Sequence, residues 1–65
     1  MKVVYDAESD TITITLSEER IKESDEINPG IICDYGYDGK IIGLEILDAS
    51  KVVKNVKQMD FAIAE

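Results

Sequence analysis

The sharpest pattern in the chain is Thr11-Ile12-Thr13-Ile14-Thr15-Leu16, where apolar and hydroxyl-bearing residues alternate without a break. A period of two built from β-branched residues predicts a half-buried strand with Ile12, Ile14 and Leu16 facing the core. Lys2-Val3-Val4-Tyr5 predicts a shorter strand before it, and the polar cluster Asp6-Ala7-Glu8-Ser9-Asp10 between them reads as the turn of a hairpin. A third strand is expected over Ile31-Ile32-Cys33-Asp34-Tyr35 and a fourth over Lys40 to Leu47. Gly36, Tyr37, Asp38 and Gly39 lie between them, with Asp38 and Gly39 expected to supply the positive φ of a tight turn.

Residues 17 to 28 break this rhythm. They are dense in charge, with Ile21 and Ile27 the only large apolar positions, and read as a connection with room for a short edge strand. Pro29-Gly30 then punctuates the chain. After the fourth strand, Asp48 or Ser50 can cap a helix, and Val52, Val56, Met59 and Ile63 recur at helical spacing. Lys51, Lys54 and Lys57 point away from that stripe, and Phe61 falls roughly opposite it. The expected fold is one α+β domain over residues 1 to 65, a four-stranded antiparallel meander packed against one C-terminal helix (ββββα).

The third and fourth strands are apolar at nearly every position. If Ile32, Ile42, Leu44 and Ile46 meet the helix, then Ile31, Cys33, Tyr35, Ile41 and Leu47 point the other way. A single helix covers one face only, so these five side chains, with Phe61, are expected to form a partner-binding surface. Burying the five would contribute roughly 5–10 kcal/mol before ordering costs. Self-association as a homodimer, or binding of another small protein, is the expected use.

Charge and composition narrow the alternatives. Fourteen acidic against seven basic residues give a net charge of −7, which repels phosphate backbones and anionic lipid. Neither direct nucleic-acid binding nor membrane binding is expected. The imbalance sits in residues 1 to 50, at −8, whereas residues 51 to 65 carry +1. Without histidine, and with Cys33 as the sole cysteine, the chain can form neither an internal disulfide nor a structural zinc site. No segment has the length or apolarity of a signal peptide or a membrane span, so a cytoplasmic setting is expected. No cofactor is implied.

Two groups of carboxylates carry the remaining chemistry. Asp6, Glu8 and Asp10 stand at alternate positions, as in the opening of a calcium loop, but the required glycine would fall at Thr11 and the bidentate glutamate at Ser17. A solvated turn is the plainer reading. Asp34 and Glu45 lie on neighbouring strands and could meet across the hairpin, as in metal-dependent hydrolases or acid/base sites. No lysine follows Glu45 at nuclease spacing; the plainer reading places both on the solvent side. These five carboxylates define a second functional reading, a weak divalent-cation binder or metal-assisted hydrolase. Cys33 as a nucleophile lacks any histidine base, and the first reading is non-enzymatic.

Tyr5, Asp6, Glu8 and Asp10, then Pro29-Gly30, then Asp34, Tyr35, Asp38 and Gly39, and above all Gly43-Leu44-Glu45-Ile46-Leu47-Asp48-Ala49-Ser50, form a combined pattern. It resembles the small prokaryotic family catalogued as domain of unknown function 2283, over about residues 1 to 53. The resemblance implies a ββββα-type fold, no established activity and no catalytic residues. Some members resemble companions of small toxin-like proteins, which implies an antitoxin-like binding role. Residues 54 to 65 lie outside the pattern.

Overall fold

The computed structural model describes residues 1–65. Its elements are β1 (Lys2–Asp6), β2 (Thr11–Thr15), β3 (Ile21–Asn28), β4 (Ile31–Gly36), β5 (Ile41–Ile46) and a one-turn helix α1 (Ala49–Val52). All five strands form a single antiparallel sheet in the order β1-β2-β5-β4-β3. The α+β class and antiparallel sheet agree with the expectation, while the strand count, strand order and helix differ from it.

The additional strand is β3. Every one of its residues is exposed, so neither of its faces had to be apolar, and the periodicity that marks a half-buried strand is missing from Ile21 to Asn28. Backbone pairing with β4 holds it in place at the sheet edge. Pro29 and Gly30 close the β3–β4 hairpin, Gly30 taking the positive φ of 80° that a residue without Cβ adopts freely. In the β4–β5 turn only Gly39 has positive φ; Asp38 instead accepts a hydrogen bond from Lys40 N at 3.0 Å.

Strand order departs from a meander because β5, the last strand, sits between β2 and β4. Strands β3, β4 and β5 follow one another by hairpins, and β2 returns to lie beside β5, which is the Greek-key arrangement. The connection from β2 to β3 must therefore cross two intervening strands. It starts where Leu16 N and Ser17 N both donate to Ile42 O, at 2.9 and 3.2 Å. Farther along, the Arg20 guanidinium lies 5.8 Å from the Tyr37 ring centroid, within reach of a cation–π attraction. Leu16, expected in the core, lies past the end of β2 and is exposed.

Helix α1 ends after one turn. Val52 and Val53 are both β-branched, Val53 is extended, and Asn55 takes a left-handed φ of 59°. Val52, Met59 and Ile63 are all exposed, so the expected apolar stripe does not form. The molecule is a slab of 34 × 34 × 19 Å with a radius of gyration of 12.6 Å. About 10.7 Å is usual for a compact chain of this length. Its buried apolar residues are Ile12, Cys33, Ile42 and Ala49. No helix is long and apolar enough to cross a membrane.

Candidate functional site

Strand alternation and the observed register decide which side chains share a face. Val3 pairs with Ile14 and Tyr5 with Ile12; Ile12 and Ile14 then pair with Ile46 and Leu44 on β5. On the far side of β5, Ile46 pairs with Ile31 and Leu44 with Cys33. One face is thus apolar from β1 to β4. This corrects the expected division, in which Ile31, Cys33 and Tyr35 pointed away from Leu44 and Ile46. The reason is register, which joins the two sets on one side. Ile32 is the residue turned away, opposite Glu45.

The irregularity between Asp34 and Tyr35 sets Tyr35 opposite Ile41 and leaves Ile42 as the extra residue. Ile42 is buried on the opposite face, where a side chain at Gly36 would meet it at 3.3 Å. Cys33 is completely buried, so it belongs to the packed centre of the apolar face rather than to its contact surface. The Tyr35 phenol is held above its usual pKa, first by the neighbouring Cys33 thiol and then by burial. Ile31, Tyr35 and Leu44 are half-buried, Ile41 is exposed at 49%, and Leu47 is half-buried beyond the end of β5. Phe61 is exposed on the C-terminal segment.

That segment is what covers the apolar face. Val53, Val56 and Met59 approach Val3, Tyr5, Ile12, Ile14 and Ile46, leaving a groove of about 190 Å3 between segment and sheet. The cover is partial, because none of Val3, Ile14, Leu44 and Ile46 is buried.

The opposite face is mixed, with Thr13, Thr15, Asp34 and Glu45 alongside Val4, Ile32 and Ile42. Asp34 and Glu45 meet there: Asp34 pairs with Gly43 across β4 and β5, and Glu45 stands two residues along on the same face. They share a cleft of about 300 Å3 with Thr13, Thr15, Ser17 and Gly43. Asp34 is buried and accepts a hydrogen bond from Ser24 Oγ at 2.6 Å. Burial raises the Glu45 carboxyl above its usual pKa, and the neighbouring Asp34 carboxylate adds to the effect. In such surroundings the Glu45 carboxyl keeps its proton to higher pH than a free carboxyl does.

Asp6, Glu8 and Asp10 do not join this pair, and no group of three or more acidic or cysteine side chains is placed to hold a metal ion. Asp6 Oδ1 accepts from Glu8 N at 3.0 Å, an ordinary local turn. Asp10 instead reaches across the molecule, accepting from Tyr5 Oη, Ser50 N and Ser50 Oγ at 2.8, 3.0 and 2.6 Å. Its carboxyl is held below the usual range, first by the Ser50 hydroxyl and then by Tyr5. Asp10 is therefore more than the solvated turn residue expected from sequence; its positive φ of 52° and its pairing with Ser50 depend on contacts that only folding creates.

The model of the family described as a protein of unknown function (DUF2283) matches residues 2–50. No curated protein and no solved structure matches the chain. The matched span holds all five strands and the Tyr5, Asp10 and Ser50 network, and stops before Val53 and the covering segment. With about three quarters of its length matched, the chain belongs to the DUF2283 family.

Proposed function

We propose that this protein is a non-enzymatic protein-interaction module whose apolar sheet face is closed by a second protein layer, supplied by a second copy of the chain. The observation that carries this reading is the unfinished second layer. A sheet with one apolar face is stable when another element buries it, and here a one-turn helix and a loosely laid segment do so only in part.

Surface area supports the same reading. The chain exposes 5224 Å2, whereas a folded chain of 7.2 kDa is expected to expose about 4,100 Å2. The excess is comparable to the roughly 800 Å2 that each partner contributes to a stable interface. On β4 and β5 the uncovered strip runs from half-buried Ile31, opposite Ile46, through Leu44 to exposed Ile41, opposite Tyr35 at the other end of the strands. The Asp34–Glu45 cleft lies on the other face and stays open in such an assembly.

Sedimentation equilibrium tests the proposal. A dimer at micromolar concentration that weakens in Ile41→Asp, with unchanged circular dichroism, is the expected result. Ile41 is already half in solvent, so the substitution should leave the protomer folded. A cooperatively folded monomer at several hundred micromolar, the same in the parent and Ile41→Asp, would overturn it. A monomer that dimerises only with a different small protein would transfer the role to a heteromeric complex on the same face.

A further inference from the structure

The two edges of the sheet differ in how they meet solvent. At one edge, β3 carries Lys22, Glu23, Asp25 and Glu26, and its pairing with β4 is interrupted twice by register shifts. Charges and irregularities of this kind keep an edge from accepting another strand. At the other edge, β1 pairs with β2 in unbroken register and contains neither proline nor glycine. Its Val3 and Val4 are exposed at 37% and 44%.

The sequence of β1 is also self-complementary. Laid antiparallel against its own copy with Val4 on the two-fold axis, Lys2 stands opposite Asp6 of the second copy and Asp6 opposite its Lys2. Val3 then stands opposite Tyr5 of the second copy, and both belong to the apolar face. The same operation at β3 would bring acidic residues of the two copies together, which is unfavourable. A two-fold interface uses one patch on both partners, and β1 is such a patch.

We infer that β1 is a self-association edge: two copies pair antiparallel through Lys2–Asp6, joining their sheets and running the apolar face unbroken across the two-fold axis. This does not depend on face-to-face stacking and uses a different surface. It identifies the occupant of the edge as a second copy, because the charge pattern of β1 matches itself.

Sedimentation velocity on the full chain, with one cross-linking variant, tests it. Lys2→Glu places a second carboxylate opposite Asp6 at both ends of the paired strands and should weaken association roughly tenfold. Mixing Lys2→Glu with Asp6→Lys restores opposite charges at both positions and should restore the dimer as a heterodimer. Val4→Cys should form a disulfide-linked dimer on mild oxidation, since position 4 meets itself across the axis and Cys33 is fully buried. Should Asp6→Lys fail to fold, the Val4→Cys cross-link and the Lys2→Glu comparison still decide the matter. Association unchanged in Lys2→Glu, together with no cross-link at position 4, would overturn the inference. A dimer lost in Ile41→Asp but unaffected by Lys2→Glu would overturn edge pairing alone; the converse would overturn face stacking alone. A chain that stays monomeric throughout would overturn both.

Discussion

Asp10 and Ser50 are bonded twice across forty residues of sequence, Ser50 Oγ donating to Asp10 Oδ2 at 2.6 Å and Ser50 N to Oδ1 at 3.0 Å. Ala49 N adds a bond to the Asp10 backbone carbonyl at 2.9 Å. The β1–β2 turn thereby caps helix α1, a task that Asp48, in a left-handed conformation with no capping bond of its own, does not perform. This relationship ties the end of β5 to the first hairpin, and it accounts physically for two of the residues that carry the family pattern.

Replacing Asp10 with alanine removes every one of these side-chain bonds and should lower the denaturation midpoint at neutral pH. The Asp10 carboxyl is held below its ordinary value of 3.8 in the native state. The stability it contributes is therefore complete above that value and is lost as pH falls through the lowered native one. Urea titrations between pH 6 and 3 should show a steeper acid loss in the parent than in Asp10→Ala.

Glu45 has the opposite sign. Its native pKa is raised above 4.5, first by burial and then by Asp34, so the native state holds its proton more tightly than the unfolded chain. That contribution is complete below 4.5 and is lost as pH rises through the raised value. Glu45→Gln should therefore be more stable than the parent at pH 7, with the difference gone near pH 4. Equal stability of the two at pH 7 would contradict this account of the pair.

Gly43 sits mid-strand because its neighbours leave no room. A Cβ there would lie 3.2 Å from the Ile14 carbonyl oxygen and 3.3 Å from Asp34 Oδ2. The first is backbone in the adjacent strand and moves only with the sheet. Gly43→Ala should destabilise by about 1–3 kcal/mol, measured by chemical denaturation. Amide shifts should move along β2 and β4.

Two apolar truncations separate the core from the helix stripe expected from sequence. Ile12 is buried at the centre of the apolar face, and Ile12→Ala should cost about 2–5 kcal/mol. Val52 is 66% exposed, and Val52→Ala should change stability by no more than about 0.5 kcal/mol. Comparable losses at both positions would mean that the helix continues past Val52 in solution.

The sequence by itself determined the strands whose side chains must sort between water and core. The alternation over Thr11–Thr15, the turn chemistry of Pro29-Gly30 and Gly39, and the apolar run of β5 are local properties, and each element formed where its pattern lies. It raised a meeting of Asp34 and Glu45 across the hairpin but favoured placing both on the solvent side; they are diagonal neighbours on one face, and Asp34 is buried there, which the strands flanking it decide. Tertiary structure decided the remainder. An edge strand such as β3 is held by backbone bonds and exposes both faces, so its side chains bear no signature of it. Whether Ile31 and Cys33 share a face with Leu44 or oppose it depends on register, since a shift of one residue turns every side chain over. The Asp10–Ser50 pair arises because the order β1-β2-β5 brings the first turn beside the end of the last strand, a proximity that no local pattern encodes.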